Sequence, residues 1–465
     1  MVDHPQGTSP PSPRRGRAAV RAVQLLLMLL ATLMFGARPA LAQSILRDAE
    51  TEAVLSEMSR PLIQAAGLDP RNVRVIVLND PSINAFVATG QNVYLHSGLI
   101  LSAANANEVQ GVIAHELGHI EGGHVVRYSE GMQGAMGVTI LSLILGAAAM
   151  AAGAGEAGAG IMAAGQQAAM GKFLAFSRTQ ETSADLAGAR YLNAAGVSGR
   201  GSLAFFRRLQ GQELRLAIPQ DDSYGRTHPL SGERVTMLTE MYEAAPAWDR
   251  PTDPGLEARF QRVKAKLGGF VSEPRDTLRD HPETDLSVPG RYARAYAWHK
   301  SAYPDRAMAE VNGLLASAPH DPYFLELKGQ ILLESGKPAE ALPALREANE
   351  RSGNQPLIAA LYGHAMIATE DPTHFAEAER ILRAAVARDN ANPFAWYQLG
   401  IIYDRQGDEA RAALATAERY SLQSQPQLAY VSASAAMRGL PEGSRDWLRA
   451  QDIAMTEGQA NERRR

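Results

Sequence analysis

Two histidines four residues apart flank a glutamate inside a segment, residues 104–125, whose apolar residues repeat with helical spacing. They are His115, Glu116 and His119. On an α-helix, residues i and i+4 share a face, so both imidazoles can bind one cation while Glu116 lies beside its open position. A carboxylate there can take a proton from a metal-activated water and pass it to the leaving amine. The pattern predicts a hydrolytic metal site, and an ordinary surface helix is the alternative.

Such a site needs a third protein ligand, and a later predicted helix offers one. Glu181 would complete a site of two histidines and one glutamate, with a fourth position left to water or substrate. Asp185 shares its face and can accept a hydrogen bond from the free ring N–H of a ligating histidine. The ordinary alternatives are a helix-terminal charge at 181 and an ion pair at 185.

His124 is a rival third ligand, but its spacing argues against it. The three-histidine zinc peptidases need a histidine ten residues after the first histidine, where this chain has Val125. We therefore expect His124 to be a packing or supporting residue.

A small sheet followed by helices must position these side chains. Alternation over residues 73–78 predicts a strand, and a turn over 88–92 predicts a hairpin. We expect its second arm to be an exposed edge that binds an extended peptide through main-chain hydrogen bonds. The substrate-binding residues of this arm would be Asn92, Val93, Tyr94 and Leu95. The predicted fold class is α+β, mainly α.

The N-terminal region has the features of a secretory signal peptide. Four arginines between residues 14 and 21 precede the apolar run 25–35, and Ala40 and Ala42 have the spacing of a cleavage site. The alternative is an uncleaved anchor, but the run is shorter than the roughly 20 residues of a spanning helix. We expect residues 1–42 to be removed and the protein to be periplasmic.

Composition excludes several classes of protein. With 45% hydrophobic and 21% charged residues, the chain is neither disordered nor a coiled coil, and its net charge of -4 gives no electrostatic reason to bind nucleic acid. The absence of cysteine excludes disulfides, thiol nucleophiles and thiolate-bound metals. Any metal must therefore be held by His, Asp or Glu.

Residues 131–170 form a Gly/Ala-rich apolar segment, and residues 131–155 contain no charged side chain. That length suits a membrane span, but its glycines and alanines would drive insertion weakly. Three interpretations stay open: a buried or groove-covering helix, a peripheral membrane contact, and a true span.

Residues 291–453 repeat with a period near 34, which resembles the tetratricopeptide repeat and predicts a helical solenoid. Gly329 and Gly363 are 34 residues apart, and Gly400 follows after a short insertion near residues 371–373. We expect residues 43–267 to form the catalytic domain, 268–290 a linker and 454–465 a flexible tail.

Together the motifs resemble the M48, Ste24-like, zinc metallopeptidases. The resemblance rests on the residues from 115 to 119, the pattern from 181 to 185, and His228 followed by a proline and by Arg234. It implies a gluzincin fold, one Zn²⁺ per chain bound by His115, His119 and Glu181, and Glu116 as general base. With a signal peptide and repeats, the whole chain looks like the periplasmic β-barrel assembly-enhancing protease group.

Two further positions of the resemblance have open roles. His228 could donate to the oxyanion, occupy the open zinc position, or cap a helix. Arg234 could hydrogen-bond near the site or hold its loop through a carboxylate.

The leading hypothesis is a zinc endopeptidase of periplasmic protein quality control that cleaves unfolded or misassembled envelope proteins. Its repeats could bring those substrates, or an outer-membrane assembly machine, to the catalytic domain. The alternative is a chaperone or adaptor for outer-membrane protein assembly with restrained proteolysis.

Overall fold

The computed structural model describes residues 44–88, 90–151, 154–215 and 232–463. The predicted signal peptide and His228 lie outside these ranges. The described chain is mainly helical with one small sheet, which confirms the predicted fold class. The strands are β1 (Ile45–Leu46), β2 (Arg74–Leu78), β3 (Ala85–Ala88) and β4 (Asn92–His96).

Nine helices of the described chain surround or follow this sheet. They are α1 (Ala49–Ala65), α2 (Ser97–Ser102), α3 (Ala106–Glu121), α4 (His124–Ala151), α5 (Gly155–Ala194), α6 (Arg200–Arg215), α7 (Gly232–Glu243), α8 (Pro254–Val271) and α9 (Pro274–Asp280).

The sheet has the order β1-β2-β4-β3. β3 and β4 form the predicted antiparallel hairpin, and β2 pairs in parallel with the other side of β4. The expectation that Asn92, Val93, Tyr94 and Leu95 form an exposed edge is therefore wrong. Their strand is internal, with Val93 and Leu95 fully buried, so its main chain is already hydrogen-bonded on both sides.

Helix α3 lies at the centre of the main hydrophobic core. Its side chains are buried from Ala106 to His119, and it packs against α1, α5 and α6. Asn105 caps its first turn by accepting a hydrogen bond from the amide of Glu108. A helix enclosed on all sides holds its polar side chains in fixed positions, which suits a site built on it.

The predicted Gly/Ala-rich segment forms most of an antiparallel pair, α4 and α5, which we call the α4–α5 hairpin. Within α4, the stretch His124–Met150 is the one described helix that is long and apolar enough to cross a membrane.

The predicted repeats form a helical array, with Pro372–His374 as a short 3-10 helix at the predicted insertion. A Cβ on Gly329 would lie 2.3 Å from Leu345, and one on Gly363 would lie 2.7 Å from Leu382, so these glycines allow paired helices to touch. The helices are α10 (Val288–Lys300), α11 (Pro304–Ser317), α12 (Pro322–Glu334), α13 (Pro338–Arg351), α14 (Pro356–Ala368), α15 (Phe375–Arg388), α16 (Pro393–Arg405), α17 (Glu409–Leu422), α18 (Pro426–Gly439) and α19 (Arg445–Arg463).

The segments expected as linker and tail are largely helical. Residues 268–290 contain the end of α8, all of α9 and the start of α10, and a Cβ on Gly269 would lie 2.5 Å from the carbonyl oxygen of Ala293. Helix α19 continues through most of residues 454–465. The Pro- and Gly-rich composition therefore marks helix starts and close helix contacts here rather than loose chain.

Candidate metal centre

Helices α3 and α5 touch through small residues, and this contact brings their polar side chains together. A Cβ on Gly118 would lie 2.7 Å from the carbonyl oxygen of Ala184, and one on Gly188 would lie 3.1 Å from the backbone of Ala114. Sequence reasoning missed these packing positions, although small residues at 184 and 188 have the i, i+4 spacing of a helix face.

His115, His119 and Glu181 meet at this contact, and all three are buried. The Nε2 atoms of the two histidines are 3.1 Å apart. Glu181 places Oε2 3.4 Å from Nε2 of His115 and Oε1 3.5 Å from Nε2 of His119. Ligands about 2.0–2.1 Å from one tetrahedral ion lie about 3.4 Å from each other. The three side chains therefore fit a single cation of that size.

Each of the two imidazoles also has a contact at its other ring nitrogen. Nδ1 of His115 lies 2.9 Å from Oδ1 of Asp185, and Nδ1 of His119 lies 2.9 Å from Nδ1 of His124. These contacts leave both Nε2 atoms directed at the same point. His124 thus contacts the side of His119 that faces away from Glu181 and His115.

Arg234, in the first turn of α7, ties the two carboxylates of α5 together. Its guanidinium donates to both oxygens of Asp185, at 2.6 and 2.9 Å, and lies 3.2 Å from Oε2 of Glu181. The arginine is only 5% exposed, so these ion pairs are shielded from water. These contacts place Arg234 against two carboxylates of the centre, and its role there stays a prediction.

Two carboxylates favour the protonated form of His115. Burial lowers the pKa of His115, but Asp185 and Glu181 outweigh that effect and raise the pKa to about 10. Burial raises the pKa of Asp185, but His115 and Arg234 outweigh this and lower it. A metal that binds Nε2 of His115 must therefore compete with a proton that the two carboxylates stabilise.

Glu116 follows His115 on α3 and is fully buried. The predicted partner His228 lies outside the described residues, so its place near the centre stays a prediction. Tyr94, of the predicted substrate arm, stacks on Phe86 with ring centroids 5.1 Å apart and belongs to the sheet packing.

The chain is similar to several known proteins. Residues 46–242 match the model of Peptidase family M48. The chain is 24% identical to the Beta-barrel assembly-enhancing protease of Escherichia coli (strain K12), over 81% of this chain and 77% of that protein. It is 25% identical to the protein of the same name from Yersinia pestis, over 74% of this chain and 71% of that one.

Two further matches each cover 38% of this chain. Metalloprotease LoiP of Escherichia coli (strain K12) is 32% identical over 38% of this chain and 64% of that protein. YrrB, a TPR protein with an unusual peptide-binding site, is 20% identical, with 38% of this chain aligned to 92% of that chain and a TM-score of 0.31.

Proposed function

We propose that this metalloendopeptidase, whose residues 46–242 form a Peptidase M48 domain, uses zinc to cleave unfolded or misassembled proteins in the bacterial periplasm. The observation that carries the proposal is the convergence of three buried ligand atoms within 4.8 Å of one another. Two imidazoles and one carboxylate are a ligand set typical of catalytic zinc.

A bound divalent cation supplies Lewis acidity, which polarises the scissile carbonyl and acidifies water. His115, His119 and Glu181 would hold that cation. Glu116 would accept the proton of the attacking water and then donate it to the leaving amine. Its burial directly beside His115 supports this role, because it places the carboxylate next to the ligands and out of bulk water.

The cellular setting rests on the relatives and on the predicted signal peptide. The relatives that cover most of this chain are named for enhancing β-barrel assembly, which is a process of the envelope. The helical array would bring envelope proteins, or the machine that assembles them, to the catalytic domain. His228 would either stabilise the oxyanion or occupy the open zinc position.

The test is cleavage of an unfolded protein by Glu116→Gln. We expect one bound zinc per chain and a loss of cleavage of about 100-fold or more, because general base catalysis is removed while the ligands remain. The matched control is Glu121→Gln, on the same helix but exposed, which should keep both zinc and activity.

Metal analysis and a peptide-bond cleavage assay on the three proteins decide the question. Cleavage by Glu116→Gln at the unaltered rate would remove the general-base assignment, and a folded protein that binds no zinc would remove the proposal.

A further inference from the structure

The α4–α5 hairpin has small residues inside and large apolar residues outside. A Cβ on Gly165 would lie 1.9 Å from the Cβ of Ser142, and one on Gly146 would lie 2.7 Å from the carbonyl oxygen of Gly158. The helices therefore touch backbone to backbone. A helix pair in water normally buries its large apolar side chains, whereas a seam of small residues is typical of helices packed in lipid.

The outward residues of α4 are large, apolar and exposed. Ile140, Leu141 and Ile144 are 51%, 58% and 60% exposed. At 3.6 residues per turn, Ile140 and Leu145 lie about 80° and about 220° around the axis from Met132. Side chains spread over so wide an arc suit a fluid apolar solvent better than a groove on a protein partner. Others exposed on α4 are Met136, Leu143 and Met150.

The outward face of α5 is different. It carries Gln166, Gln167 and Glu156, all exposed, among alanines and glycines, and its three exposed large apolar residues, Ile161, Met170 and Leu174, are fewer than those of α4. Polar amides in hydrocarbon are costly, so this face fits water. The hairpin thus has a more apolar side, formed by α4, and a more polar side, formed by α5. This asymmetry favours a position in the membrane surface over a membrane span.

Charges lie at the base of the hairpin, where it joins the catalytic domain. Arg127, Lys172 and Arg178 are exposed there beside Glu130, which gives an excess of positive charge next to the charge-free part. Basic residues at that level complement anionic lipid headgroups.

We propose that the α4–α5 hairpin binds the surface of a lipid bilayer through α4, with α5 on the side of water. His124, the first residue of α4, contacts His119, so the metal centre lies at the base of the hairpin. Binding would place the centre at the membrane surface, where envelope proteins emerge. The proposal concerns lipid binding alone and requires no peptidase activity.

The first test is flotation with vesicles of phosphatidylethanolamine and phosphatidylglycerol. It uses the chain without residues 1–42, so that the predicted signal segment cannot contribute, and carries Glu116→Gln to separate the outcome from proteolysis. We expect the protein to float, and Ile140→Ser, Leu141→Ser and Ile144→Ser together to lower partitioning about tenfold or more.

The matched control replaces three similar side chains that are exposed elsewhere, Leu286, Leu428 and Val431, by serine. It should float like the parent. Equal flotation of both triple variants, or none by the parent, would overturn the proposal. So would sedimentation showing that the α4 substitutions only dissociate a lipid-free oligomer.

The second test uses the absence of native cysteine, which makes any introduced cysteine a unique labelling site. With a polarity-sensitive fluorophore, Ile144→Cys should shift to the blue on vesicles, and Gln167→Cys should not. Shifts at both positions would overturn the one-sided arrangement, and a shift at neither would overturn lipid contact.

Discussion

Contacts at the Nδ1 atoms of His115 and His119 set the orientation of both imidazole rings. At His115, the Asp185 carboxylate fixes which nitrogen carries the proton, and Arg234 fixes that carboxylate in turn. Such outer contacts change metal affinity without touching the metal. The centre is therefore a network of five or more side chains, although only three of them would hold an ion.

Asp185→Asn tests this network. The amide has no negative charge, so it accepts a weaker hydrogen bond from the Nδ1–H group of His115. We therefore expect zinc affinity to fall about 10–100-fold. Competition with a chromophoric chelator, well below the melting temperature of the metal-free variant, measures it. Glu57→Gln, which breaks an exposed pair with Arg259, is the control and should leave affinity unaltered. Equal affinities in all three proteins would contradict the role of Asp185.

The sequence predicts that His115 and His119 share one helix face, because the i, i+4 rule is local. It could not predict the contact between His124 and His119. The apolar period continues to residue 125 without a break, but the helix ends at Glu121, and Gly123 adopts a φ of 62° that redirects the chain. That left-handed turn folds His124 back onto the centre. Only tertiary structure shows such a return.

Among the elements, the approach of α3 to α5 determines whether the centre exists. Glu181 lies one turn before Ala184, the residue against which Gly118 packs. Any side chain at 118 must push the two helices apart. The separation would move Glu181 away from the histidines, because all three are held by their helices.

Gly118→Ala should therefore weaken both fold and metal binding. We expect the free energy of unfolding of the metal-free protein to fall by about 1–3 kcal/mol, as for other overpacked contacts, together with weaker zinc binding. Gly171→Ala on α5 is the control, since a Cβ there meets nothing within 4 Å. It should stabilise by about 0.5–1 kcal/mol through helix propensity. Urea unfolding and zinc titration measure the stability and the zinc affinity of both variants. Parental values for Gly118→Ala would show that the contact between α3 and α5 is not tight.

The strands show where local patterns stop being sufficient. The turn near Gly90 predicts that β3 and β4 pair, and they do. Whether the other side of β4 is free depends on β2, which pairs with it from outside the hairpin, Val75 opposite Val93. Alternation within one strand carries no information about strand order in the sheet. The predicted edge failed for that reason.

At the scale of the whole molecule, a buried polar cluster joins the catalytic domain to the helical array. Glu50 of α1 accepts a hydrogen bond from the Tyr292 hydroxyl of α10 at 2.8 Å. Arg262 of α8 forms ion pairs with both Glu50 and Asp321, the residue that caps α12. Partners from both halves share the same charges, so the halves should unfold together.

Glu326 of α12 is a buried carboxyl group beside this cluster. Its Oε2 is buried and has no hydrogen-bond partner among the described residues. Burial raises the pKa of Glu326, Lys266 opposes the rise, and Asp48 and Glu50 add to it, so that the pKa reaches about 8. Between these two pKa values, the Glu326 carboxyl is protonated in the folded protein and ionised in the unfolded chain, where its pKa is 4.5.

The contribution of Glu326 to the free energy of unfolding should fall as the pH rises from about 5 to about 8. In this range the folded state binds one more proton than the unfolded state, so a lower proton concentration favours unfolding. Glu326→Gln keeps the neutral shape at every pH. Its melting temperature should match that of the parent near pH 5 and exceed it near pH 9, by about 2–4 °C for each kcal/mol. Glu334→Gln on the same helix is the control: a hydrogen bond with His299 lowers the pKa of Glu334, so this change should not raise the melting temperature at either pH. Calorimetry at both pH values measures the three proteins, and parallel curves for parent and Glu326→Gln would mean that Glu326 is ionised in the folded state.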